Sequence, residues 1–304
     1  MGKSLIEFLL GETDYKIISM VRDAPSSAAS SDGRVRVVSH DLKEPIGKKC
    51  AAEIGEINYI IHFAALTNIQ ESVVNPMDYI LNNVHGTLNL LEFARTQVKY
   101  LQQFLYFSSA EIFGRHSSST VLKETDPPLS YSPYAATKIG AQELCLSYKN
   151  TFGIPIVIAY AMNTFGLHQA PEKFIPSIIK KILKDERVLI HSDRTGIPHR
   201  RNYLSVGDLC DAILFLSRHG VSGEKYNIAA NEESNNLKLA QTISRLLGKT
   251  LVYELVESEQ NSAVLPRLGA EKLYNLGWHQ KKTLEQGLKE LITEYTSKGR
   301  SDDH

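Results

Sequence analysis

Residues 104–114 read Phe-Leu-Tyr-Phe-Ser-Ser-Ala-Glu-Ile-Phe-Gly, and this stretch decides the fold. Phe104, Leu105, Tyr106 and Phe107 are apolar without alternation, the pattern of a strand covered on both faces. Polar residues follow at once, so Ser109 and Glu111 stand where that strand ends. Further on, Tyr134-Ala135-Ala136-Thr137-Lys138 opens a helix. The four-residue spacing puts the phenol and the ammonium on one helix face, where the lysine's charge is expected to hold the phenol closer to its ionised form. Such a phenol is a general base for an alcohol hydroxyl whose carbon is losing hydride. Any helix can carry Tyr-x-x-x-Lys, so the motif alone is weak. The upstream Ser-x-Glu at a strand end makes it specific.

Outward from this stretch, strands and helices alternate. The pattern predicts strands at 15–20, 35–38, 58–63 and 154–160, and helices at 77–97 and 134–152. Apolar strands separated by helices indicate a parallel sheet with both faces covered, and hence a doubly wound Rossmann-type α/β fold. After about residue 165 the pattern loosens. Helices at 172–184, 206–218 and 237–247, with short strands at 188–190 and 201–204, predict a smaller C-terminal α/β lobe. A last amphipathic helix covers 284–295. The expected organisation is a dinucleotide-binding domain over 1–165, a substrate-binding lobe over 166–296 interleaved with it, and a disordered tail at 297–304. Residues 26–31, Ser-Ser-Ala-Ala-Ser-Ser, read as a low-complexity loop.

The 304 residues are ample for a sizeable core, and 34 basic residues balance 34 acidic ones. That balance argues against nucleic acid as a partner, since such binders gather a basic surplus on one face. Cys50, Cys145 and Cys210 form no paired motif, which fits reduced thiols and a cytoplasmic protein. No apolar run approaches the ~18 residues of a membrane span, so no membrane partner is expected. No metal site is expected.

With Ser109, Tyr134 and Lys138 in place, the chain resembles the extended short-chain dehydrogenase/reductases of the NAD-dependent epimerase/dehydratase family. His62-Phe63-Ala64-Ala65 and Asn83-Val84-His85-Gly86-Thr87 look like that family's cofactor-side signatures. Residues 171–176 (Pro-Glu-Lys-Phe-Ile-Pro), 201–208 (Arg-Asn-Tyr-Leu-Ser-Val-Gly-Asp) and the stretch from Tyr226-Asn227-Ile228 to Asn236-Leu237 resemble its dTDP-glucose 4,6-dehydratase branch. The resemblance implies a lyase acting on a nucleotide-activated hexose such as dTDP-glucose, through transient oxidation at the 4-position. Tyr134 would take the 4-hydroxyl proton and Ser109 would bond the reacting oxygen. Lys138 would hold the nicotinamide ribose, and Glu111 would remove the carbon-5 proton. It places cofactor contacts at Gly2, Arg22, Asp41, Leu42, Phe63, Ala64, Ala65 and Asn83, beside Tyr134 and Lys138. Substrate contacts fall at Thr67, Asn163, Lys173, Phe174, Arg201 and Asn236, with Arg201 on the diphosphate. A homodimer is implied, formed through the helix carrying Tyr134 and the helix at 77–97.

The chain also departs from its family. Members open with a strand and a Gly-x-x-Gly-x-x-Gly turn; here only Gly2 matches, so the chain reads as N-terminally truncated and weak cofactor binding is expected. NAD-using members carry an acidic residue after the second strand, where this chain has Val21 and Arg22. NAD is the expected cofactor, with NADP also admitted. Dehydratases of the branch read Thr-Asp-Glu where this chain reads Ser109-Ala110-Glu111, and alanine donates no proton. The family's arginine-rich C-terminal segment is replaced by residues 260–268, with Arg267 as a partial substitute. Two alternatives stay open beside the dehydratase: a 4-epimerase or decarboxylase of the same family, and a catalytically impaired binding protein lacking a complete cofactor cradle.

Overall fold

A computed structural model describes residues 1–23, 32–114, 116, 120–161, 163–257 and 267–299. The low-complexity loop at 26–31, most of the segment 260–268 and residues 300–304 lie outside the described residues.

In chain order, α1 (Gly2–Glu12) leads to β1 (Ile17–Val21) and β2 (Val35–Ser39), then α2 (Lys48–Ile54) and β3 (Tyr59–His62). Short helices α3 (Ile69–Val74) and α4 (Pro76–Tyr79) run through a π-helical turn (Ile80–His85) into α5 (Gly86–Gln97). Strand β4 (Gln103–Phe107) ends in a 3-10 turn (Ala110–Phe113), followed by β5 (Val121–Leu122), α6 (Pro133–Phe152), β6 (Ile156–Ala161) and β7 (Thr164–Phe165). The second part holds α7 (Phe174–Leu183), β8 (Val188–Ser192), β9 (Arg200–Asn202), β10 (Leu204–Ser205), α8 (Val206–His219), β11 (Lys225–Ile228), β12 (Glu233–Asn235) and α9 (Asn236–Leu247). Strands β13 (Tyr253–Glu257) and β14 (Arg267–Leu268) and helices α10 (Glu271–Leu276) and α11 (Leu284–Gly299) complete it. Helix α11 is thus still helical at 297–299, where the sequence predicts a tail.

The central sheet is parallel, in the order β11-β6-β4-β3, with Tyr106 opposite His62 and Ile158. Residue alternation along β4 and β6 explains why both are buried throughout. Phe104, Tyr106, Ile156, Ile158 and Tyr160 enter a core shared with α5 and α6; Leu105, Phe107, Val157, Ala159 and Ala161 enter a second core under α1 and α8. Strands β1 and β2 form a separate parallel pair. The pair keeps the same two faces, since Ile17 packs with Ile61 in the second core while Ile18 and Met20 join the first. Among the described residues, β1 and β3 each have one strand neighbour.

A third core gathers Ile175, Ile178, Ile179 and Ile182 of α7, Leu239 and Ile243 of α9, and Leu288 and Leu291 of α11 around β8. In α7 these isoleucines recur at helical spacing, so one face is apolar and the other carries Lys180 and Lys181. Strands β8 and β13 pair in parallel, and β9 and β12 antiparallel. Helices α8 and α10 and strand β11 return to the central sheet from within the second part.

Candidate active site

Strand β4 delivers the first group. Beyond Phe107 the chain reaches Ser109 in extended conformation, and the Ser109 hydroxyl accepts a hydrogen bond from the Glu111 amide at 3.2 Å. That bond starts the 3-10 turn, and burial of Ile112 and Phe113 anchors it. Gly114 closes the turn with φ +71°; a Cβ there would lie 2.1 Å from the Leu129 carbonyl oxygen, so only glycine fits. Ala110 is buried between Ser109 and Glu111 and offers no proton.

Helix α6 delivers the second. Ser132 caps it by accepting from the Ala135 amide at 3.1 Å, Pro133 occupies its first turn, and Gly153 ends it in the left-handed conformation. The buried face carries Tyr134, Thr137, Lys138 and Ala141, the last two at the spacing expected of one stripe. The Ser109 side chain acts on the Tyr134 phenol, favouring its ionised form, and the Tyr134 ring lies edge-on to Tyr79, ring centroids 6.4 Å apart. Serine and tyrosine from distant parts of the chain therefore meet as the motif reading expects.

The charge relation between Tyr134 and Lys138 differs from the sequence expectation. Burial raises the Tyr134 phenol above its ordinary value; the Ser109 side chain opposes this, and the Glu111 and Tyr79 side chains add to it. Lys138 is not among the groups that shift the phenol. Its Nζ donates to the Phe107 carbonyl at 2.7 Å and sits 4.3 Å from the centre of the Tyr106 ring. Only 3% exposed, the ammonium is pushed down to about 7 by burial. The four-residue spacing places both groups on one face, while the nearest acceptor decides where the flexible lysine points.

On the cofactor side, Arg22 follows β1 and pairs with Asp23 at 3.2 Å. Asp41 follows β2, and its carboxyl is held below the ordinary carboxylate value by the Lys43 amide first, with Lys43 and Arg22 charges adding. Arg22, Asp41 and Leu42 thus share the carboxyl end of the β1–β2 pair. Gly86 lets α5 approach closely there, since a Cβ would meet Leu42 Cβ at 3.3 Å. The segment Phe63-Ala64-Ala65 leaves β3 with the Phe63 ring 4.8 Å from that of Phe107.

Asn83 holds that segment rather than reaching outward. From the π-helical turn its side chain accepts from the Leu66 amide at 2.8 Å and donates to the Leu66 carbonyl at 3.0 Å and to Thr137 Oγ1 at 3.0 Å. The residue expected as a cofactor contact is a brace for the loop. His62 is likewise structural: Thr87 gives its hydroxyl proton to the Asn83 carbonyl, so Thr87 Oγ1 accepts from His62 Nε2 at 2.9 Å. Burial, and then Lys138, push this imidazole down to about 3, which keeps it neutral. Gly2 opens α1, whose first turn lies beside Leu167: Ser4 Oγ donates to the Leu167 carbonyl at 3.3 Å.

The substrate residues converge on one cavity of about 410 Å³. Asn163, Lys173, Phe174, Arg201 and Asn236 line it; Thr67 does not. Asn163 takes φ +38°, and Phe174 stacks on Tyr203 with ring centroids 6.4 Å apart. The Tyr203 hydroxyl donates to Asn236 Oδ1 at 3.0 Å. Burial lowers the Arg201 guanidinium, and the opposing charges of Tyr203 and Glu111 pull it back. The guanidinium therefore feels the carboxylate that stands beside Tyr134, which ties this cavity to the Ser109 turn. Gln169, His191 and His199 also line the cavity and are absent from the sequence-based set. Their only sequence signal is proximity to a motif: His191 and His199 precede Arg201, and Gln169 precedes the segment 171–176. Among the described residues, no group of three His, Cys, Asp or Glu side chains is placed to hold a metal ion.

A parallel sheet whose inner strand leads into a serine near the tyrosine of a buried Tyr-x-x-x-Lys helix defines a dinucleotide-dependent enzyme of the short-chain dehydrogenase/reductase type. The chain belongs to the NAD dependent epimerase/dehydratase family, whose sequence model matches residues 1–229. It is 31% identical over 254 residues to dTDP-glucose 4,6-dehydratase of Xanthomonas campestris pv. campestris, covering 78% of this chain and 72% of that one. It is 30% identical over 244 residues to a trifunctional UDP-glucose 4,6-dehydratase/UDP-4-keto-6-deoxy-D-glucose 3,5-epimerase/UDP-4-keto-L-rhamnose-reductase of Arabidopsis thaliana. That match covers 79% of this chain but only 36% of the plant protein. Among solved structures, dTDP-glucose 4,6-dehydratase of Bacillus anthracis in complex with NAD superposes with a TM-score of 0.83 at 26% identity, covering 98% of this chain and 94% of the other.

Proposed function

We propose that the chain is a nucleotide-sugar 4,6-dehydratase that works through bound NAD, with NADP also admitted. The observation that carries this reading is the meeting of three groups. Ser109 at the end of β4 and Glu111 in the turn after it both act on the Tyr134 phenol, and Glu111 also acts on the cavity-lining Arg201. The donor set fits the cofactor. Lys138 has three N–H groups and uses one on Phe107, which suits two ribose hydroxyls for the others. The segment Phe63-Ala64-Ala65, braced by Asn83, together with Asp41, Leu42, Arg22 and the Gly2 amide, would hold the rest of the dinucleotide. When bound, the dinucleotide would supply a reversible hydride acceptor beside Tyr134.

The chain's own residues handle the protons. Tyr134 takes the proton of the 4-hydroxyl, and Ser109 donates to the same oxygen as it becomes a carbonyl. The 4-ketone acidifies the hydrogen at carbon 5, which Glu111 removes, and the protonated Glu111 gives that proton to the departing 6-hydroxyl, which leaves as water. Arg201 holds the nucleotide diphosphate through a planar fork suited to phosphate oxygens, Asn236 and the backbone near Lys173 and Phe174 hold the nucleotide and its phosphates, and Asn163 lies near the sugar.

Ala110 favours a second reading. With no acid beside Glu111, oxidation without dehydration would make the enzyme a 4-epimerase or decarboxylase. Incubation with dTDP-glucose, UDP-glucose and UDP-glucuronate, followed by NMR of the sugar, separates them. A 4-keto-6-deoxy sugar is the dehydratase outcome; a stereoisomer, or a pentose from UDP-glucuronate, is the other. Glu111→Gln is expected to retain oxidation, seen as accumulated reduced nicotinamide, while product formation falls about 10²–10⁴-fold. An unchanged rate would remove Glu111 from the mechanism. Absence of NAD(P) binding would instead support an impaired binding protein.

Three further proposals follow the family. The dinucleotide-binding part is 1–165 and the substrate lobe 166–296, interleaved through α8 and β11. The chain forms a homodimer through α6 and the helices at 77–97. It resides in the cytoplasm, a reading supported by its unpaired thiols.

A further inference from the structure

Nine buried side-chain atoms among the described residues lack a hydrogen-bond partner, and four of them belong to residues that line the cavity holding Arg201: Asn163 Nδ2, Gln169 Oε1, His191 Nδ1 and His199 Nε2. Folded proteins leave few such atoms, so a cluster on one cavity marks groups waiting for a polar ligand. The two imidazoles are held rigidly. The His199 amide donates to the His191 carbonyl at 3.2 Å, and Ser192 and Pro198 bridge the two strands just beyond. The Asp193 carboxylate fixes the intervening turn by accepting from the Thr195 amide at 2.8 Å and the Ile197 amide at 3.0 Å. The Asn236 amide donates to the His199 carbonyl at 2.9 Å. His199 is 6% exposed, so its ring is not free to turn outward.

Arg201, two residues after His199, acts on it electrostatically, as do His191 and the opposing carboxylate of Asp193. Across the cavity Lys173 adds a cation from the start of α7, and Tyr203 a phenol whose ionisation burial strongly opposes. Glu111 acts on Arg201 from the far side. On β13, Val256 is paired with His191, and the neighbouring Glu257 lies 3.8 Å from Arg194. The cavity wall around His199 is therefore cationic, with its nearest carboxylate already engaged in a turn.

We propose that His191 and His199 bind the diphosphate of the nucleotide-sugar together with Arg201, and that His199 takes up a proton as the diphosphate enters. The proposal rests on the nucleotide-sugar reading of this cavity. In the free protein, burial and then the charges of Arg201 and His191 hold the His199 imidazole below its ordinary value, so it is neutral at pH 7. An adjacent dianionic diphosphate reverses the balance and favours the imidazolium. The protonated form binds more tightly, so affinity rises as pH falls.

The test uses the phenyl esters of uridine and thymidine 5′-diphosphate, which have no sugar to react and no phosphate titrating between pH 6 and 8. Calorimetry in buffers of different ionisation enthalpy counts the protons. Expected for the wild type are uptake of about half to one proton at pH 7 and affinity about tenfold higher at pH 6 than at pH 8. His199→Gln is expected to flatten that profile, and His191→Gln to weaken binding about tenfold at pH 6. Tight binding without proton uptake, or a pH profile that survives in His199→Gln, would overturn the proposal and leave the nucleotide-sugar reading standing. Failure of either ester to bind at any pH would overturn both. The wild-type proton count needs no variant, so it decides the question even where a substitution unfolds the chain.

Discussion

Lys138 shows at the scale of one residue how catalysis and stability conflict. Its ammonium is 3% exposed, donates to the Phe107 carbonyl, has no carboxylate partner among the described residues, and is pushed down to about 7 by burial. The unfolded chain keeps the ordinary value, so the folded state binds fewer protons between the two. The cost to stability is full below pH 7, where the buried group stays charged, and fades as pH rises toward the ordinary lysine value. Every tenfold change in that protonation equilibrium is worth about 1.4 kcal/mol, against roughly 1 kcal/mol for the bond to Phe107. Lys138→Met is therefore expected to be inactive and yet more stable, by on the order of 1–3 kcal/mol at pH 6, with the gain shrinking toward pH 10. Thermal melts at the two pH values check this; a lower melting temperature at pH 6 would mean that the ammonium stabilises the fold. The presence of Ser109, Tyr134 and Lys138 at one site is legible in the sequence, because strand end and helix face are local properties. The direction in which the Tyr134 phenol moves is not legible, because it depends on burial by Tyr79 and on which acceptor Lys138 finds.

At the scale of elements, the 3-10 turn after β4 positions Glu111 and depends on Gly114. Because a side chain at φ +71° is strained and its Cβ would overlap the Leu129 carbonyl, Gly114→Ala is expected to destabilise the protein by about 1–3 kcal/mol. It should also lower kcat for dehydration more than it weakens NAD binding, since the cofactor contacts lie on other elements. Denaturation midpoints and NAD titration of the variant separate the two effects, and equal losses in both would show that the turn supports the whole site. The apolar strands β3, β4 and β6 are readable because two covered faces leave no polar position. Strands β13 and β14 escape sequence reading, since mostly exposed or two-residue strands exist only through their partners β8 and β5. The predicted single helix at 77–97 is broken by the π-helical turn, a feature that often marks functional sites. Helical periodicity carries no sign of it, yet it places Asn83 against the Leu66 loop. His191 and His199 escape for a similar reason: one histidine on each side of a turn gives no pattern until the turn brings them together.

For the whole molecule, the outer surface beside the catalytic helix is the informative region. Val73 and Val74 end α3, Met77 lies in α4, and Ile80 and Leu81 open the π-helical turn. Their exposures run from 39% for Leu81 to 77% for Val74. These elements pack on α6 from outside, while the inner face of α6 carries Tyr134 and Lys138. Five apolar side chains gathered on neighbouring elements are more than scattered surface hydrophobics, and such patches mark interaction sites. Their position supports the proposed homodimer, in which a second copy would cover the patch and steady the helix that carries Tyr134. Sedimentation velocity is expected to give a species of twice the 34.0 kDa chain mass. Replacing Val74 and Leu81 together by glutamate puts like charges into a self-complementary contact, and the variant is expected to sediment as a monomer. If α6 depends on that cover, the monomeric variant should also lose activity, by about tenfold or less, because none of its substituted residues reaches the cavity. A dimer that survives both substitutions would place the interface elsewhere. A wild-type chain that sediments at 34.0 kDa would end the homodimer proposal outright.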